Sequence, residues 1–188
     1  MDDTFTFVNA KAWRTWLKKN SRSARVAHLV LAKAGSELQT LSYQEALEEA
    51  LCYGWIDGKK RSHTAESWIQ TFTPRAKRSI WSKINREKAL ALIASGRMEA
   101  PGLREVERAK EDGRWDRAYD SAKTATVPPD LAAALRKNAK ASAFFKTLNG
   151  ANRYAILFRI QTVKKAETRA RKIAEFVAML ARGETLHP

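Results

Sequence analysis

The chain has 188 residues, 44% of them hydrophobic and 29% charged, which suits one core, or a core with a small appendage, and is too apolar for intrinsic disorder. Lys and Arg number 35 against 20 Asp and Glu, a net charge of +15; such a surface favours nucleic acid, anionic lipid or phosphorylated metabolites over cationic partners, the plain alternative being basic charge without a specific partner. The one cysteine, Cys52, excludes an internal disulfide and a thiolate metal site, and no run approaches the ~18 apolar residues of a membrane span.

The opening MDDTFTFVNA has neither a basic head nor an apolar run, so no secretory signal is read and a cytoplasmic location is expected. Trp13, Trp16 and Leu17 recur at helical spacing behind Asn9, a residue suited to an N-cap. Ala24–Lys33 alternates as a strand does. Ser42 and Glu45 form a capping box ahead of a helix over Tyr43–Tyr53, which Gly54 closes. Glu66–Pro74 is a second strand, with Trp55–Gly58 a third piece and Gly58-Lys59-Lys60-Arg61 placed in the turn between them. Ser79 or Ser82 caps a helix running to Ala94, with Gly96 beyond its end; Pro101 opens Gly102–Glu111 and Gly113 closes it. Thr124–Pro129 is the expected boundary between an N-terminal α+β region (1–123) and a C-terminal helical module (124–188). Short helices follow from Pro129 to Lys137, over Ala139–Leu148 and over Asn152–Val163. The last, Ala166–Ala181, carries Ala166, Ala170, Ile173, Val177 and Leu180 on one stripe and ends before Gly183. The expected class is therefore α+β, mainly helical, with a small antiparallel sheet in the N-terminal half.

The basic charge comes in two blocks. Between Lys59 and Lys88 stand nine Lys and Arg against Glu66 and Glu87, and between Arg136 and Lys172 eleven against Glu167 alone. In the first, Arg75, Lys77, Arg78, Ser79, Ser82 and Asn85 gather at a helix start, where free N–H groups and the positive dipole end favour an anion. The competing structural reading is an Asp57–Arg75 bridge with Trp55 and Trp81 packed beside it. In the second, Lys164, Lys165, Arg169 and Lys172 offer a basic face able to follow phosphates, or simply a solvated one. Helix-turn-helix spacing of the last two helices is countered by Tyr154, Ile156, Leu157, Phe158, Ile160 and Val163, which make the first of them a core helix.

Other chemistry fails on spacing. His28, His63 and His187 are not at metal-ligand intervals, so no metal site is expected. Cys52 lies in an apolar run as a buried, inert thiol. Gly54–Lys59 is one residue short of a P-loop, and Lys60 stands where the magnesium-binding hydroxyl belongs.

The strings WRTWL (13–17), ALEEALCYGWID (46–57), FTPRAKRSIWSKIN (72–85) and KEDGRW (110–115), with VPPDLAAAL, FFKTL and KKAETRARKIAEFVAML beyond 127, resemble the YdeI/OmpD-associated (bacteriocin-protection) family. The departures are Arg159 in place of Trp and Val163 in place of Ala. The resemblance implies a stress or antimicrobial-peptide protection role and no catalytic residue. We therefore expect a non-enzymatic, cofactor-free binder of nucleic acid or a phosphate or carboxylate ligand through the two basic blocks. The first alternative is an enzyme with Asp57 and Arg75 in a pocket lined by Trp55 and Trp81. The second is a protein-interaction module using the C-terminal helices.

Overall fold

The computed structural model describes residues 4–188, and among them are eight helices and one four-stranded sheet. Two units divide the chain: one runs through Trp81 and includes Asn85–Asp116, the other comprises Ser82–Ile84 and Arg117–Pro188.

The first unit begins with β1 (Thr4–Phe5), α1 (Ala10–Asn20) and β2 (Ala27–Ala32). Asn9 caps α1 by accepting from Ala12 N at 2.9 Å. Trp13 and Leu17, four residues apart, are buried, as the spacing requires. Next come α2 (Tyr43–Cys52), β3 (Trp55–Ser62) and β4 (Ser67–Pro74). Both halves of the Ser42/Glu45 capping box form. Gly54 takes φ +74°, the left-handed turn that lets the chain leave α2 and enter β3. α3 (Lys83–Ala94) and α4 (Ala100–Glu111) complete this half of the chain, with Pro101 in the first turn of α4.

The sheet order is β1-β2-β4-β3. β2 pairs with β4 and β3 with β4 antiparallel, but β1 lies parallel to β2. The expected antiparallel sheet is thus a mixed one. The reason is that β1 and β2 are joined by a crossover through α1, the connection that parallel neighbours need; two residues carry too little pattern to announce β1. β3 is also longer than expected. Lys59, Lys60 and Arg61 belong to the strand, and the turn falls at 63–66, where Thr64 Oγ1 accepts from Glu66 N and Ser67 N. A register shift between Asp57 and Lys60 interrupts the period-two pattern and disguises the strand.

The core on the helix side of this sheet is aromatic. Trp13 packs on Trp16, Trp55 and Phe72 with centroids 5.1, 6.4 and 5.8 Å away, and Phe7 lies 5.2 Å from Trp13. Trp13 Nε1 donates to Ala46 O at 3.0 Å and Trp55 Nε1 to Ser21 O at 3.2 Å, so both of these buried indoles keep a partner.

The second unit holds α5 (Pro129–Arg136), α6 (Ala139–Thr147), α7 (Gly150–Gln161) and α8 (Ala166–Ala181). Asn138 and Asn149 cap α6 and α7. Leu131, Leu135, Phe145, Ile156, Ile160, Ile173, Phe176 and Leu180 share one core. α7 is a core helix, as its apolar girth implies, with Ala155, Ile156, Leu157 and Ile160 all buried. Asn152 ties the end of the chain down by accepting from Leu186 N and His187 N at 3.0 and 2.9 Å.

Candidate functional site

The first basic block separates into two populations. Arg75 is buried, with its guanidinium carbon 3.6 Å from the centroid of the Trp81 ring and Nη1 donating to Ile80 O at 3.1 Å. Arg114, also buried, donates from Nη1 to Ser79 O at 2.7 Å, and Arg108 Nη2 reaches Ala76 O at 3.5 Å. Three guanidiniums from three places in the sequence thus hold the carbonyls of one loop, residues 76–80. Delocalised, weakly hydrated and always charged, arginine is the side chain that can do this with little solvent. Glu105 lies within the fields of Arg108, Arg75, Arg114 and Arg104; burial nonetheless pushes its carboxyl above the ordinary carboxylate range, with those charges opposing. Arg114 Nε also bonds both oxygens of Asp112, at 2.8 and 2.7 Å.

The clamp exposes the middle of the loop. Lys77 and Arg78 face solvent and, among the described residues, make no ion pair, whereas Asn85 is buried on α3 and Ser82 is half-buried, bridged to Tyr119. Trp55 and Trp81 are 1% and 2% exposed, and Trp81 packs edge-on against Trp115 at 4.9 Å. The site expected for an enzyme, a cleft lined by both tryptophans, is filled with protein. Asp57 is half-buried at the start of β3, where its Oδ2 accepts from the Tyr43 hydroxyl at 2.9 Å.

The exposed cations that sequence reading placed in a turn form a second feature. Lys59, Lys60 and Arg61 lie on β3, an edge strand, all exposed and, among the described residues, free of ion pairs. Lys60 Nζ stands 4.2 Å from the centroid of the half-exposed Trp68 ring, whose other neighbour is Tyr43 at 5.9 Å. This aromatic and basic cluster had a sequence signal, the run KKR beside ESW, but it needed the strand pairing to bring Lys60 onto Trp68.

In the second block, Arg169 is committed. Its Nε and Nη2 bond Asp130 at 2.6 and 3.0 Å and its Nη1 donates to Ile160 O at 2.8 Å, stapling α8 to α5 and α7. The bond to Arg169 holds the Asp130 carboxyl below its ordinary range. Lys164 and Lys165 are exposed just ahead of α8, and Lys172 is half-buried on it. Among the described residues no group of three or more His, Cys, Asp or Glu is placed to hold a metal, and no helix is long and apolar enough to cross a membrane.

Residues 5–105 match the model of a domain of unknown function, DUF8412. Residues 124–183 match the model described as bacteriocin-protection, YdeI or OmpD-associated. The resemblance to that second family therefore holds for the C-terminal region, and the N-terminal strings up to 105 lie in the region matched by the first. No curated protein and no solved structure matches the chain.

Proposed function

Starting from a chain that belongs to the DUF8412 family and carries a YdeI- or OmpD-associated module at 124–183, we propose that the protein binds single-stranded nucleic acid through the outer edge of its sheet. The observation that supports this most is the set Lys59, Lys60 and Arg61, exposed on an edge strand and without ion pairs among the described residues, with Lys60 over Trp68. Cations in a row follow a phosphate backbone, and an aromatic face beside them stacks a base whatever its identity. Lys77 and Arg78 add exposed positive charge elsewhere on the same unit. The protective role we propose beside it, in keeping with the bacteriocin-protection description of the C-terminal module, would follow from covering exposed nucleic-acid strands. Lysine on an edge strand also guards against strand-to-strand aggregation; binding and protection draw on the same residues.

Fluorescence anisotropy of labelled single strands and duplexes, at about 50 and 200 mM salt, tests this. Micromolar binding is expected, with the log–log salt slope falling by roughly 0.7 for each single-strand phosphate contact removed. Replacing Lys59, Lys60 and Arg61 together by Gln should thus flatten the slope by about 2. Trp68→Ala should weaken binding severalfold, below the full value of about 1–3 kcal/mol for a stacked base because the ring is only half exposed. Absence of binding at the lower salt, or indifference to both changes, overturns the proposal. Arg75 is unsuitable as a probe because it holds the fold.

A further inference from the structure

The second unit has an open groove of about 590 Å³ between α5, the α5–α6 turn and α8. Ala134, Ala166, Ala170, Ala174, Ala178 and Val177 dominate its lining. The apolar stripe expected on α8 is in fact divided. Ile173, Phe176 and Leu180 enter the core, while Ala166, Ala170, Ala174 and Ala178, each four residues after the last, are exposed along the groove. That row spans three helical turns, roughly 18 Å at 1.5 Å per residue. Small side chains over such a length let a second helix approach closely, towards the short end of the usual 8–10 Å spacing. An exposed alanine is unremarkable on its own; a concave row of four beside Val177 offers a continuous apolar bed.

Charge selects the occupant. Within the groove Asp130 and Arg169 neutralise one another at 2.6 Å. Lys137 is left as the uncompensated charge of the lining, and its exposed neighbours in sequence, Arg136 and Lys140, add two more cations to the 136–140 turn, which holds no acid and, among the described residues, no ion pair. Along Arg136–Lys172 eleven Lys and Arg face a single Glu. A second copy of the protein would bring its own +15 charge to this rim and is repelled. A flat membrane surface does not reach into a concave bed.

We propose that this groove docks an amphipathic helix from an acidic protein partner, its apolar stripe on the α8 alanines and its Glu or Asp residues along the 136–140 turn. This is helix-in-groove recognition with the register set by apolar anchors at i, i+4 and i+7 and the orientation set by charge. It does not depend on the nucleic-acid reading, which uses the other unit.

The probe is a labelled helical peptide of about three to four turns, with Leu and Ala on one stripe and Glu elsewhere, titrated with the full chain. A counterpart carries Lys for every Glu. The acidic peptide should bind at least tenfold more tightly than the basic one. Ala174→Arg, at an exposed position, should abolish that binding with the melting temperature unchanged, and Ala170→Gln should weaken it severalfold. Lys137→Glu with Lys140→Glu should weaken it further at low salt than at high salt. Equal binding of both peptides, or failure of the acidic peptide to bind, refutes the proposal, as does binding indifferent to Ala174→Arg and Ala170→Gln. Light scattering showing a dimer that Ala174→Arg dissociates would assign the groove to a second copy and refute it equally.

Discussion

Gly102→Ala is the substitution on which helix propensity and tertiary packing disagree in sign. Gly102 sits in the first turn of α4, where alanine is favoured over glycine by up to about 1 kcal/mol. A methyl group there, however, would lie 2.5 Å from the Cys52 carbonyl oxygen and 2.6 Å from that of Leu51, and would press on Met98 Sδ. Both oxygens belong to the last turn of α2, so the neighbour that must give way is backbone. The Cys52 oxygen also accepts from Glu99 N at 3.2 Å, a bond that moving α4 outward would lengthen. Overpacking of this kind costs about 1–3 kcal/mol. With backbone as the neighbour the cost falls in the upper part of that range, about 2–3 kcal/mol; less a propensity gain of about 1 kcal/mol, the net loss is about 1–2 kcal/mol, which for a chain of this length lowers Tm by roughly 2–8 °C. Gly150→Ala is the control, since a methyl group on Gly150, the first residue of α7, meets nothing within 4 Å; it should stay within about 0.5 kcal/mol of wild type. Thermal and urea unfolding followed by circular dichroism measure both. A Gly102→Ala protein as stable as wild type, or more so, would refute the packing of α4 on α2.

Arg114→Met should remove about 1–3 kcal/mol, because the Ser79 carbonyl loses a buried donor. Its local signature is faster tryptic cleavage at Lys77 and Arg78; unchanged cleavage would count against the arginine clamp. Arg169 depresses the Asp130 carboxyl, so the pair's stabilisation is fully present above the unfolded pKa of about 3.9 and disappears as pH falls through the lower folded value. Both partners are partly exposed, so Asp130→Asn should cost no more than about 1 kcal/mol at neutral pH. In acid unfolding curves the difference from wild type should shrink progressively as pH falls below about 4; a gap that stays constant into acid contradicts the linkage. Burial, then the nearby Glu49 charge, push the Cys52 thiol up to about 11. Iodoacetamide near pH 8 should therefore leave the folded protein unmodified and alkylate it once urea unfolds it, as mass spectrometry will show; rapid labelling of the folded chain would contradict that burial.

The helix ends were legible because each depends on a few neighbouring residues. Asn9, the Ser42/Glu45 pair, and the glycines at 54, 96, 113 and 183, all with positive φ, mark their termini by local hydrogen bonding and backbone freedom. The inert placing of Cys52 and the core character of α7 followed equally from local apolar content. β1 and the full length of β3 were not legible, since a strand acquires its partner from elsewhere in the chain and a register shift hides its period. The two basic blocks show the same division. Sequence position alone made Arg75, Lys77 and Arg78 equivalent, and Arg169 equivalent to Lys164. Only the fold delivered Ile80 O and the Trp81 ring to Arg75, and Asp130, 39 residues away, to Arg169, leaving the lysines and Arg78 to solvent. Caps, turns and apolar periodicity are properties of a short segment and are written in it. Whether a charge is a clamp or a surface depends on which carbonyl or carboxylate the tertiary structure brings within about 3 Å, and that distance exists only in the folded chain.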